Sequence, residues 1–169
     1  LDLQGQENRF LKKGSDQWQV LQKNQIIEAG DQIMTGTDGF VIIRYDAMSK
    51  NVVKINSKSK AEFHSIEPTD LHLEDGSIFN ILDGLGGVGY QISTPTAVAA
   101  VRGTHLPVSY DASTGAFYAA VLDETDSVLH EVEITDLDIN GTQKELILAE
   151  GMQIQTEDSG QSISEPEAI

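Results

Sequence analysis

Residues of the kinds that bind metals or do catalysis are sparse in this chain, and their clusters are short. Asp136-x-Asp138-x-Asn140-Gly141-Thr142 begins like a calcium loop. Carboxylates at alternate positions can converge on a hard cation, and glycine allows the sharp turn. The later positions break the pattern, because Lys144 and Ile147 stand where a further ligand and a bidentate glutamate belong. The competing reading makes Asn140-Gly141 a type I′ turn between strands over 132–139 and 143–149. Calcium through Asp136, Asp138 and Asn140 is the one cofactor the sequence offers, and the leading expectation is no cofactor at all.

His72 and Glu74 lie two apart, so on a strand they share a face and could hold one metal ion. No third ligand is matched to them, and His105 and His130 are isolated. Residues 84–89 (GLGGVG) fit G-x-G-x-x-G. A dinucleotide site needs a helix next, whose N-terminal N–H groups receive the pyrophosphate. Residues 90–94 instead read as extended chain, broken at Pro95, so 84–89 is taken as a glycine loop. G-x-S-x-G, H-E-x-x-H and Walker elements are absent. The chain has no cysteine, which removes disulfides, thiolate metal sites and cysteine nucleophiles together. The expectation is that this is not an enzyme; a metal-assisted hydrolase around His72 and Glu74 stands third among the readings.

The elements that must carry these residues repeat a period of two. Apolar residues over 40–45 are bounded by Asp38-Gly39 and Asp46. Leu71 and Leu73 alternate up to an Asp75-Gly76 turn, and residues 78–82 run to Asp83-Gly84. Leu106, Val108 and Tyr110 share one face, as do Phe117, Ala119 and Val121. Val132 with Ile134, Leu146 with Leu148, and Met152 with Ile154 continue the pattern. Short strands at even spacing predict an all-β fold without substantial helix, a twisted β-solenoid-like or sandwich-like stack. The alanines of 96–101 favour helix but sit between Pro95 and Gly103, too short to stand alone, so they are read as strand.

With 169 residues, 39% of them apolar, the chain can bury a core without staples. Residues 1–8 read as a frayed lead-in or a first strand. An all-β domain is expected over 1–156, and an acidic, serine-rich flexible tail or linker over 157–169 (EDSGQSISEPEAI). Eleven basic against twenty-seven acidic residues give a net charge of −16, a field that repels nucleic acid and anionic membrane surfaces. No apolar run is long enough to span a bilayer. Leu1 in place of Met, with no leader after it, reads as a processed protein or an excised piece.

Two segments carry more information. In residues 30–36 (GDQIMTG), Gly30-Asp31 suits a turn entering a strand and Gly36 a turn leaving it. In residues 93–104 (STPTAVAAVRGT), Arg102 comes after a nearly uncharged stretch. It reads either as a stem packed on the sheet with a paired guanidinium, or as a ligand or partner contact. Gly103 beside it supplies a bend or a close backbone approach.

In this order the pieces resemble the FecR domain family. Its pattern has a Trp ahead of G-D-x-[IL]-x-T-G, here Trp18 and then Gly30, Asp31, Thr35 and Gly36. An L-x-x-G-x-[IVL] element comes next as Leu73, Gly76 and Ile78. T-P-x-A and V-R-G-T then match as Thr94, Pro95 and Ala97, and as Val101, Arg102, Gly103 and Thr104. Gly151 with Gln153 is similar to the family's closing strand, so the resemblance runs from Trp18 to Thr156. It implies an all-β domain outside the cytoplasmic membrane, in which these motif residues are structural. In regulators of that name such domains relay the state of an outer-membrane transporter to an anti-sigma region, and they are not known as enzymes. The expectation from this sequence is a domain without the anti-sigma region, membrane helix and C-terminal transporter-contacting domain of those regulators, and residues 111–149 read as longer and more acidic than usual.

The expected function is thus a non-catalytic, exported scaffold or interaction module, periplasmic or at the cell surface. It would work through protein partners or self-association at its sheet edges and the Asn140-Gly141 hairpin, possible envelope signalling included. The alternative is a structural subunit of an extracellular homopolymer.

Overall fold

The computed structural model describes residues 1–48, 50–83, 89–101, 103–122, 130–137, 143–156 and 162–169. Among them the only regular structure is strand. The strands are β1 (Asp2–Gln4), β2 (Arg9–Leu11), β3 (Gln19–Val20), β4 (Gln32–Met34), β5 (Phe40–Arg44), β6 (Asn51–Ile55), β7 (Lys60–Ile66) and β8 (Thr69–Leu82). They continue as β9 (Tyr90–Ser93), β10 (Ala97–Val101), β11 (His105–Asp111), β12 (Ala116–Val121), β13 (Glu131–Leu137), β14 (Gln143–Ala149), β15 (Met152–Gln155) and β16 (Glu167–Ala168). All sixteen join one open, mixed sheet that does not close into a barrel. The all-β expectation holds.

The sheet has two wings that share β8. The first half of β8 pairs with β7 and β9 and leads on to β10, β13 and β14. Its second half pairs with β6 and β11 and leads on to β12, β15 and β16. A straight strand of its 14 residues would be about 45 Å long at about 3.3 Å per residue. Yet β9 lies parallel to the start of β8, with Tyr90 beside Thr69. The chain from Leu82 to Tyr90 can span about 28 Å at most. Strand β8 therefore has to bend.

The bend is at Asp75-Gly76, where the sequence suggests a turn. The structure corrects that reading: β8 runs through it as one strand. Leu71 and Leu73 are buried before the bend, and Ile78, Asn80 and Leu82 after it. The inward face therefore shifts by one residue. The register against β7 slips between Lys60 and Ala61, which is a bulge and absorbs that shift. Gly76 has φ of 96°, and a Cβ there would stand 2.6 Å from Ser59 Cα. Only glycine fits.

Both wings close on one apolar cluster, from Phe10, Ile33 and Phe63 through Leu71 and Ile92 to Val108, Val132, Leu148 and Ile154. A polar thread crosses it. Tyr90 Oη donates to Asn80 Oδ1 (2.8 Å), Tyr45 Oη lies 3.4 Å from Tyr90 Oη, and Asn80 Nδ2 donates to the Leu106 carbonyl (2.9 Å). Burial raises the pKa of both tyrosines far above the phenol value.

Residues 1–8 include a true first strand, since β1 pairs with β5. The end of the chain departs from expectation. Residues 157–161 lie outside the described residues, but 162–169 are packed rather than free: Ile163 is buried in the core cluster and β16 pairs with β15. Ile163 is the one large apolar side chain in that stretch before the terminus, and its burial, its N–H bond to Asp136 and the β16 pairing are the contacts that hold the segment. The antiparallel pairing of β13 with β14 forms the expected hairpin. Its register, Leu137 opposite Gln143, differs by one from that of a two-residue Asn140-Gly141 turn, which would set Leu137 opposite Lys144.

Candidate functional site

The residues singled out in the sequence are mostly spent on holding strands together. Asp31 is fully buried, and its carboxylate accepts the backbone N–H groups of Lys13 and Glu28, each at 2.9 Å, with Lys12 Nζ at 3.5 Å. Lys12 also pairs with Glu28 at the surface. Gly30 donates its N–H to the Phe63 carbonyl, and Phe63 returns a bond to the Asp31 carbonyl. Thr35 Oγ1 bonds the Asn56 carbonyl and accepts from the Ser59 N–H (2.9 Å), tying β4 to β7. Gly36 lies against Glu7, and its N–H reaches Asn8 Oδ1 at 3.3 Å.

Thr94 closes the β9–β10 hairpin: its hydroxyl accepts from the Ala97 N–H (3.0 Å) and its own N–H bonds the Ala97 carbonyl (2.8 Å). Pro95 is the exposed corner of that turn. Gly103 has φ of 136°, and its carbonyl accepts from His130 Nδ1 at 2.6 Å. Thr104 is fully buried, and its carbonyl accepts the Leu82 N–H. Trp18 is half-buried and outside the core cluster. Arg102 lies outside the described residues.

His72 and Glu74 make separate contacts, and of the calcium set only Asp136 lies among the described residues. Asp136 is buried, and its Oδ2 accepts the Ile163 N–H at 3.2 Å, so it anchors the returning chain end. Asp138, Asn140 and the rest of 138–142 lie outside the described residues, as do Gly84 to Val88 of the glycine loop. Glu74 pairs with Lys60 at 2.6 Å, and His72 turns instead to Ser93. Among the described residues, no group of three His, Asp or Glu side chains is set to hold a metal ion.

His72 belongs to a different cluster, which the sequence pattern did not suggest. On the outer face of β7, β8 and β9, Ser93 Oγ donates to Asp70 Oδ1 (3.1 Å) and lies 3.0 Å from His72 Nδ1. His64 stacks on His72 at 4.8 Å between centroids, with its Nδ1 3.5 Å from Asp70 Oδ2. Partial burial, and then the charge of His64, push the His72 pKa below its ordinary value. The serine hydroxyl proton is directed at a carboxylate, whereas a nucleophile needs a histidine to accept it. This is a hydrogen-bonded surface cluster, without the geometry of a triad.

Beside it a groove of about 640 Å³ opens on the same wing. Strand register builds its floor: Asp70 stands beside Gln91, Gln91 beside Ala100, Ala100 beside Glu133, and Glu133 beside Ile147. These five form one row across the outer face. Ala100 is exposed and Ile147 is 54% exposed. One signal for Ile147 was present in the sequence: Leu146-Ile147-Leu148 is an unbroken apolar run, so one of the three had to face outward. The groove ends at β14, an edge strand.

Comparison with known proteins agrees with this architecture. The model of the family described as FecR protein matches residues 31–125, more than half of the chain and narrower than the Trp18 to Thr156 span expected. No curated protein matches the chain. Two crystal structures of a candidate anti-sigma factor from Parabacteroides distasonis ATCC 8503, at 1.65 and 2.50 Å resolution, have the same fold. Each gives a TM-score of 0.63 at 16% identity, covering 81% of this chain and 59% of theirs. This chain thus spans less than two thirds of the length of that protein. Asp31, Thr35, Gly76, Thr94 and Thr104 all fall inside the matched residues, at the joints between strands, and the chain belongs to the FecR family.

Proposed function

We propose that this chain is a non-catalytic, exported interaction module that works by protein–protein contacts in envelope signalling. The observation that carries the reading is where the polar groups go. The buried motif side chains Asp31, Thr35 and Thr94 bond backbone groups of the fold. The open surface on the β8–β14 wing is instead a groove rimmed by carboxylates beside an edge strand. Family membership supports a regulatory role, and the likeness to the candidate anti-sigma factor agrees with it in fold. No helix among the described residues is long and apolar enough to cross a membrane. The reading needs no cofactor, and thermal unfolding with calcium and with a chelator is expected to give the same Tm.

A photo-crosslinking amino acid placed at Ile147, compared with one at the remote and exposed Asp16, tests the module in cells. An adduct to a different protein from position 147 alone is the expected result. No adduct from position 147, or equal adducts from both positions, counts against it. A second reading rests on the two ends of the main strand path, β14 and β16, which are both open edges among the described strands. Such edges can join copies into a homopolymer. Light scattering over a concentration range decides: the module stays at one mass, whereas an assembly subunit grows.

A further inference from the structure

We infer that the groove on the β8–β14 wing takes an extended segment of a partner protein carrying a lysine or arginine, with the cation over Ala100 between Glu131 and Glu133. The inference rests on the module reading and names the chemistry of its partner. Three observations carry it.

The first is shape. Ala100 is the smallest side chain in the row, with Gln91 and Glu133 directly opposite it on the neighbouring strands. Strands are about 4.8 Å apart, so β9 and β13 stand about 9 to 10 Å apart across Ala100, and truncation there leaves a slot about 5 to 6 Å wide between the facing side chains. That admits one alkyl or guanidinium stem. The whole groove, about 640 Å³, has room for the flanking residues as well.

The second is charge. Glu131 and Glu133 are successive outward residues of β13 and line the groove. Both are exposed, and neither makes an ion pair among the described residues. Lys60 and Lys144, on strands of the same wing, are already paired with Glu74 and Glu165. Asp70 adds a third carboxylate at the groove's other side. A cation placed over Ala100 would meet Glu131 and Glu133, whose counter-charge no described residue supplies, while Asp70 already holds Ser93 and faces His64.

The third is the apolar rim. Ile147 closes the row at the β14 end, and Pro68 lines the groove as well. An aliphatic residue next to the cation can cover Ile147, as a cationic side chain's own stem can. Shape, charge and rim together favour a basic, aliphatic segment over an acidic or a wholly apolar one.

The probes are labelled hexapeptides of alternating Lys and Val, Glu and Val, and Ser and Val, titrated into the full chain by fluorescence anisotropy. The Lys–Val peptide is expected to bind, more weakly as salt rises, and to shift the amide signals of β10, β13 and β14. Glu131→Gln with Glu133→Gln is expected to weaken it by about tenfold, and Ala100→Arg, which fills the slot with the chain's own cation, to do the same. All three positions are exposed, and circular dichroism confirms the fold of each variant. Asp16→Asn with Asp38→Asn removes the same charge elsewhere and is expected to leave Kd unchanged. Equal weakening by the two double variants would mean that only net charge is read and overturns the inference, as does equal binding of the Glu–Val peptide or no binding. An adduct from position 147 that survives Glu131→Gln with Glu133→Gln removes the two carboxylates from the contact, which overturns the inference and leaves the module standing. Selective peptide binding without any cellular adduct supports the groove and sinks the module.

Discussion

Replacing Asp31 with alanine removes the carboxylate that holds the entry to β4. The side chain is fully buried, and it receives two backbone N–H groups at 2.9 Å from residues far apart in the chain, Lys13 and Glu28. Hydrogen bonds to a charged acceptor contribute about 1.5–3 kcal/mol each, and a buried donor left without a partner costs a similar amount. Some relaxation toward water is expected in the emptied site, so the loss should be about 3–5 kcal/mol. That is a large fraction of the roughly 5–15 kcal/mol that stabilises a typical domain. Asp31→Asn keeps one acceptor oxygen but turns an NH₂ group toward the other N–H, and about half the loss is expected. Urea unfolding followed by Trp18 fluorescence and far-UV circular dichroism should show lower midpoints at unchanged m. Glu28→Gln, which breaks an exposed ion pair with Lys12, should leave the midpoint nearly unchanged. If Asp31→Ala moved the midpoint no further than Glu28→Gln does, the account of the Gly30-Asp31 element as a buried staple would be wrong.

Other variants probe the remaining joints. Gly76→Ala should lower stability by about 1–3 kcal/mol, because the residue has φ of 96° and no room beside Ser59; an unchanged Tm would show that the β8 bend is not pinned there. Tyr90→Phe leaves Asn80 Oδ1 buried without its donor, a cost of about 1–3 kcal/mol, while a purely apolar role for Tyr90 predicts almost none. The His72 pKa is depressed, so below its ordinary value of 6.5 the unfolded chain binds the proton more readily. His72 therefore contributes stability that is present above pH 6.5 and is lost as pH falls from 6.5 through the folded value. An NMR titration should place its midpoint below 6.5, and His64→Gln should move that midpoint upward; no movement would remove His64 as a cause.

The alternation of apolar residues, the glycine-bearing turns and the order of the motifs were enough to establish an all-β FecR-type chain. Each is a local property: a strand's side chains alternate whatever its neighbour is, and Gly30 or Pro95 acts through its own backbone. Asp31, Thr35, Gly76 and Thr94 stood out in the sequence as motif residues, and their structural role was an implication of the family resemblance, without the partner of each. Those partners are Lys13 and Glu28 for Asp31, Ser59 for Thr35 and Gly76, and Ala97 for Thr94.

The sequence suggested a turn at Asp75-Gly76 and a tail after residue 156. Both readings missed a long-range contact, Gly76 with Ser59 and Asp136 with Ile163. The groove shows the same limit. Asp70, Gln91, Ala100, Glu133 and Ile147 are scattered along the chain and lie in one row only because of the register of β8, β9, β10, β13 and β14. A shift of one residue in any of those pairings would turn a strand over and bury what is now exposed. Register is selected by the buried face of the whole sheet at once, so the chain's local pattern yields the strands while the tertiary structure decides which of their residues meet.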